Sequence, residues 1–170
     1  AEGCVVDVIG VGAGTADYLR KKSMPGLFDV NVSWASSDAT KYDKLRDELW
    51  WRVREKCMYG YYSFPEEKLP GEVLSLGQEL ANELATPYYE FNKNGAVKVE
   101  SKKDMKKRGI PSPNIADALC LTEYFYSHAT KVFRKKVMKE QFDRSRVFPA
   151  GRYHGAGGKK IPGRDRWQMV

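Results

Sequence analysis

A short apolar run, Cys4 to Ile9 (CVVDVI), leads into glycines at 10, 12 and 14 and then into a helix-forming stretch. A run of that length reads as a strand buried on both faces, which is the habit of parallel sheets. Ala16 to Lys21 then reads as a helix and Val30 to Trp34 as the next strand, so the chain opens on a βαβ unit. Asp7 breaks the apolar run. A carboxylate inside such a strand is costly unless it is paired, coordinated or set at an exposed strand end. The glycines evoke a dinucleotide site, but the third glycine of G-x-G-x-x-G would fall on Thr15, and no strand ending in an acid follows at the expected distance. Nucleotide binding at this turn is therefore a minor option.

The rest of the chain supplies one domain's worth of material. Its 170 residues, 42% hydrophobic and 30% charged, can build a core without metal or disulfide staples. No apolar run reaches the ~18 residues of a membrane span, and the N-terminus lacks a signal-peptide pattern, so no membrane partner, no secretion and a cytoplasmic setting are expected. Cys4, Cys57 and Cys120 are odd in number, far apart and in apolar surroundings, which suits buried thiols. His128 and His154 have no Cys or His at zinc-ligand spacing.

Tyr42 to Tyr59 is the clearest helix, with Tyr42, Leu45, Leu49, Val53 and Cys57 on one face and Glu48 with Arg52 as an i,i+4 pair on the wet side. Trp50 and Trp51 widen the apolar stripe and suit packing better than base stacking. Pro65 to Pro70 reads as a loop and Val73 to Leu84 as a second helix, despite Gly77, ended by Pro87. Tyr88 to Phe91 and Ala96 to Glu100 bracket Asn94-Gly95, a strong hairpin signal. There is no internal repeat.

Ile110 to Leu121 (IPSPNIADALCL) starts another helix, expected to run to about Gln141, with Ser112 as N-cap and Pro113 at the first helical position. Asp117 falls near its first turn, three residues after Asn114 and on the same face. A carboxylate there can simply complement the helix dipole, worth ~0.3 to 1 kcal/mol. It can also ligate a hard cation such as Mg²⁺.

The net charge of +7 is unevenly spread. From Lys131 to Val170 twelve basic residues face three acidic ones, and a second patch comprises Lys102, Lys103, Lys106, Lys107 and Arg108. Clustered Lys and Arg match a phosphate backbone, or form a solvated face and a soluble tail. After Phe148 the composition turns to Gly, Lys, Arg and Pro, which favours a mobile tail.

Asp7 on a strand, Asp117 at a helix entry and Glu100 closing the hairpin make a candidate acidic set. Two-metal phosphodiester cleavage needs such acids to converge from separate elements, because the ions sit ~3.5 to 4 Å apart.

The stretches VVDVIGVGAGTADYL, KLRDELWWRVRE and VKVESKKDMKKRGIPSPNIADALCL, in that order, resemble the C-terminal nuclease domain of the large terminase subunit of tailed bacteriophages. The resemblance covers about Val5 to Tyr126. It implies an α/β ribonuclease H-like fold, a mixed sheet flanked by helices, here incomplete at the N-terminal side. It also implies a metal-dependent endonuclease that cuts concatemeric viral double-stranded DNA with Mg²⁺ or Mn²⁺ during packaging. Asp7 resembles the family's second acidic ligand. The family often shows SPD followed two residues on by AD, so Asn114 replaces one usual acid and Asp117 keeps the other. Asn114 can still ligate through its carbonyl oxygen, without charge.

On that footing the expected organisation is a nuclease-like fragment over 1–147 and a basic Gly-rich tail over 148–170. The first catalytic strand and the ATPase domain are expected to be missing, which puts the activity of this piece alone in question. Catalysis is expected at Asp7 and Asp117, metal ligation at Asp7, Asp117, Asn114 and Glu100, and DNA contact at Lys102, Lys103, Lys106, Lys107 and Arg108. By resemblance the partners are DNA, a portal protein and a small terminase subunit, in the host bacterial cytoplasm. The alternative is a non-catalytic DNA- or portal-docking module with a degenerate metal site.

Overall fold

The structure, a computed structural model, describes residues 3–10, 12–68, 70–128 and 166–168. Strand β1 (Cys4–Asp7), helix α1 (Gly12–Lys21) and strand β2 (Leu27–Val30) form the expected βαβ unit, with β1 and β2 parallel and Asp7 paired with Val30. Three details differ from the sequence reading. β1 stops at Asp7, so the carboxylate occupies the strand's C-terminal end, and all four residues of β1 are half-buried rather than covered on both faces. β2 runs Leu27–Val30 and so shares only Val30 with the expected Val30 to Trp34. The supposed glycine turn is the first turn of α1.

Gly12 explains that early start. A Cβ there would fall 1.7 Å from the Asp7 carbonyl oxygen, so only glycine lets the helix begin against the strand end. Gly14, two residues on, faces open space. Gly12→Ala is therefore expected to lower stability by about 1 to 3 kcal/mol. Gly14→Ala should instead raise it by up to about 1 kcal/mol through helix propensity. Urea titration of both variants checks the pair, and equal midpoints would contradict it.

Helix α2 (Leu45–Met58) buries Leu49, Trp50 and Val53. Two of its acidic residues are buried and pinned. Asp47, 3% exposed, accepts the backbone N–H of Val99 at 2.9 Å and of Lys44 at 2.9 Å. Burial pushes its carboxyl up against those hydrogen bonds. Glu48, expected on the wet side, is 1% exposed and accepts the Ser37 N–H at 2.6 Å, the Ser37 hydroxyl at 2.5 Å and a hydrogen bond from Arg52. Its burial raises the carboxyl, but the donors from Ser37 and Arg52 outweigh that and leave it below its ordinary value. An i,i+4 pair says nothing about depth, and here the loop around Ser37 folds over the Glu48 end of it.

Helix α3 (Leu76–Ala85) carries a capping box between Ser75 and Gln78. Gly77 is needed because a Cβ would fall 2.4 Å from the Pro65 carbonyl oxygen. Strands β3 (Tyr88–Phe91) and β4 (Val97–Val99) form the predicted antiparallel hairpin. The basic stretch that follows is helix α4 (Lys102–Lys107), capped by Ser101.

Helix α5 (Asn114–His128) starts at Asn114, and any continuation towards Gln141 lies outside the described residues. Its cap also differs from expectation. The Ala116 N–H is taken at 2.8 Å by the Glu83 carboxylate of α3, and Ser112 lies exposed ahead of the helix. A carboxylate arriving from another helix satisfies an orphan donor as a local cap would.

Most of 148–170, read as a basic tail, lies outside the described residues, but Arg166–Gln168 form strand β5, antiparallel to β3. The second sheet is thus ordered β4-β3-β5. Three residues of backbone pairing to a hairpin edge are invisible to a composition argument.

Helices α2 and α5 form the centre. Trp50 bonds Asp117 and Lys56 bonds Glu123, and both pairs are 67 residues apart in sequence. The equal offset means that the helices run parallel with their N-termini at the same end. Val30, Leu80, Val97, Val99, Ala116 and Cys120 complete the core around them. Burial raises the thiols of Cys57 and, strongly, Cys120, which keeps both protonated. No helix among the described residues is long and apolar enough to cross a membrane.

Candidate metal centre

Asp117 sits in the first turn of α5 with its side chain 20% exposed. Its Oδ1 accepts the Trp50 indole N–H at 3.0 Å and lies 4.0 Å from Arg46 Nε, and its Oδ2 lies 2.7 Å from Lys102 Nζ. Asn114, one turn earlier, is exposed. Asp7, at the end of β1, accepts the Ile9 N–H at 3.1 Å.

Two paths of contact link the strand that ends at Asp7 to the helix that holds Asp117. The first runs along the β1–α5 contact. Gly3, just before β1, lies so close to Phe125 that a Cβ would fall 2.2 Å from the ring. From that contact Asp7 lies about 13 Å along the extended strand and Asp117 about 12 Å along the helix. The second runs through β2. Asp7 pairs with Val30, Val32 two residues on accepts the Arg46 N–H at 3.0 Å, and the Arg46 side chain reaches Asp117.

Glu100 does not join this group. Its carboxylate, 1% exposed, lies 3.4 Å from Arg108 Nε and accepts the Tyr88 N–H at 3.1 Å, which holds β3 and the end of α4 together. Only its backbone carbonyl points the other way, accepting from Arg46 at 3.0 Å. Arg108 turns inward with it, bonding the Thr86 carbonyl and stacking 3.7 Å over the Tyr88 ring. Glu100 and Arg108 thus pair with each other inside the fold, away from Asp117. Of the remaining basic patch, Lys103 and Lys106 lie on the exposed side of α4, Lys107 pairs with Asp104, and Lys102 pairs with Asp117.

Arg46 and Trp50 are the residues that sequence reasoning missed at this site. They are four apart on α2 and so share a face. That spacing was the available signal, but it does not name Asp117 as the partner.

Oxygen donors at Asp7, Asp117 and Asn114 suit a hard divalent cation in kind. They are few, since no group of three or more His, Cys, Asp or Glu side chains gathers among the described residues.

No family model and no curated protein matches the sequence. Solved structures do match. A lysine-to-alanine variant of the nuclease domain of the large terminase subunit of bacterial virus Sf6, with manganese, is 26% identical at a TM-score of 0.51, over 71% of this chain and 64% of that one. The same domain with calcium matches at 26% identity and a TM-score of 0.51, over 71% and 63%. The unsubstituted domain matches at 26% identity and a TM-score of 0.51, over 71% and 64%. The chain thus spans less than two thirds of the domain it matches. It resembles the nuclease domain of a bacteriophage large terminase subunit, with a ribonuclease H-like α/β fold.

Proposed function

We propose that this chain is part of the nuclease domain of a large terminase subunit, a divalent-metal-dependent endonuclease that cuts concatemeric viral double-stranded DNA during packaging in the host bacterial cytoplasm. The observation that supports the reading is the contact path from β1, which ends at Asp7, through β2 and Arg46 to Asp117 at the start of α5. Asp7 and Asp117 supply anionic oxygens and Asn114 a neutral one. Mg²⁺ or Mn²⁺ held there would acidify a water and stabilise charge developing on the phosphodiester. Lys102, which pairs with Asp117, and Lys103, Lys106 and Lys107 further along α4 hold the DNA backbone by charge, so binding weakens as salt rises. A two-ion arrangement needs further acidic donors from the parent protein, and a portal protein and small terminase subunit are its partners there.

A second reading is favoured by one observation. Both Asp117 oxygens already face protein donors or cations, as in a structural ion-pair hub. On that reading the chain is a docking module for DNA or a portal, with a degenerate metal site.

Thermal melting of the chain across a Mn²⁺ titration separates the two. A working site gives saturable stabilisation of about 2.7 kcal/mol at a hundredfold excess over Kd. Asp7→Asn and Asp117→Asn should each shift half-saturation at least about tenfold, and both should abolish Mn²⁺-dependent plasmid relaxation by the parent protein. An unmoved melting temperature at millimolar Mn²⁺ leaves only the docking module standing.

A further inference from the structure

Behind Asp117 stands a pair of side chains on α2 that no part of the cleavage scheme has used. Trp50 is 1% exposed, and its indole N–H, an obligatory donor once buried, meets Asp117 Oδ1 at 3.0 Å. Arg46 lies with its guanidinium 5.5 Å from the Trp50 ring centroid, its Nε 4.0 Å from the same Oδ1, and its Nη1 donating to the Glu100 carbonyl at 3.0 Å. Its backbone N–H is tied to Val32, just past the strand that pairs with Asp7. Arg46 therefore reaches Asp117 with its side chain while its backbone is anchored to the segment that follows β2.

The arrangement is one-sided. Trp50 donates to Oδ1 and the Arg46 charge lies 4.0 Å from the same oxygen, while Oδ2 faces Lys102, an exposed side chain at the protein surface. The Arg46 Nη2 is buried without an acceptor among the described residues. The guanidinium lies along Trp50 with Nε towards Asp117.

We propose that Arg46 and Trp50 are positioning residues for Asp117. They hold Oδ1 from behind, fix the rotation of the carboxylate, and leave Oδ2 as the oxygen offered to a divalent cation when Lys102 moves aside. The inference rests on the nuclease reading above and deepens it. Groups that hydrogen-bond a ligating carboxylate orient it and tune its affinity, and their loss typically weakens metal binding by about 10- to 100-fold.

The test is a Mn²⁺ titration of the chain, followed by melting temperature and by tryptophan emission, for the unaltered protein, Trp50→Phe, Arg46→Lys and Asp117→Asn. Trp50→Phe keeps an aromatic ring in the core and removes the N–H. Arg46→Lys keeps the charge and removes the planar fork. Both are expected to raise the half-saturating Mn²⁺ concentration by about 10- to 100-fold. A merely structural role would lower the melting temperature and leave half-saturation where it was. Half-saturation within about twofold of the unaltered chain in both variants, with Asp117→Asn still abolishing the response, overturns this proposal alone. No saturable response in the unaltered chain removes the nuclease reading and this proposal together. If Trp50→Phe fails to fold, Arg46→Lys decides the matter, since its side chain reaches the surface at 17% exposure.

Discussion

Glu123→Ala is expected to destabilise the chain by about 3 to 5 kcal/mol. The Glu123 carboxylate is 2% exposed, takes the Lys56 ammonium at 2.8 Å, and accepts a hydrogen bond from the Tyr62 hydroxyl. Burial first, and then the hydrogen bond and charge of Glu123, push the Tyr62 phenol far above its ordinary value, so it remains a donor throughout the physiological range. Truncation leaves an ammonium and a hydroxyl facing an emptied, largely dry site. Lys56 is 24% exposed and lies over the rings of Tyr62 and Tyr126, so it can swing partly into water, which favours the lower end of the range. Replacing both ionic partners, as Lys56→Met with Glu123→Leu, should recover most of the loss, because apolar groups of similar volume leave no charge unpaired. Urea denaturation of the single and double variants measures this. A double variant no more stable than Glu123→Ala would show that the ion pair is not what sets the cost.

Trp50→Ala is expected to cost about 3 to 5 kcal/mol as well, for a different reason. Trp50 is the largest of the fully buried side chains, and it packs between α2 and α5 beside Leu49, Val53, Ala116 and Cys120. Alanine would leave a cavity with rigid helices on either side, and would also strip Asp117 of its indole donor. Against a typical total stability of about 5 to 15 kcal/mol, that loss brings a single domain near its unfolding threshold at ambient temperature. Trp50→Phe should lose far less stability, so the two substitutions separate packing from the hydrogen bond. A Trp50→Ala chain with an unchanged urea midpoint would mean that the α2–α5 seam closes over the gap.

Much of the framework is legible along the chain because its signals are local. Asn94-Gly95 announces the hairpin through the turn conformation that those residues accept. The 3.6-residue recurrence of Leu45, Leu49 and Val53 places the buried face of α2. The parallel β1–β2 pair follows from a helix long enough to cross between two apolar runs. The resemblance of the longer stretches named the ribonuclease H-like fold.

The candidate site divides along the same line. Asp7 and Asp117 stand out in sequence because an acid in an apolar run or a helix entry is unusual, whereas Arg46 and Trp50 look like ordinary members of an amphipathic helix. Glu100 and Arg108 look available on charge alone, and the fold turns them towards each other. Glu48 looks wet, and a loop eleven residues earlier in the chain closes over it.

Composition, period and turn chemistry thus determined the opening βαβ unit, the α2 helix and the β3–β4 hairpin, since each depends on atoms a few bonds away. Tertiary packing alone decided which charges met. The parallel seating of α2 on α5 aligned Trp50 with Asp117 and Lys56 with Glu123, the docking of α3 brought Glu83 to the start of α5, and backbone pairing laid Arg166–Gln168 along β3. A buried carboxylate takes whichever donors the packed elements bring within about 3 Å of it. That depends on the docking of whole helices, which no spacing along the sequence records.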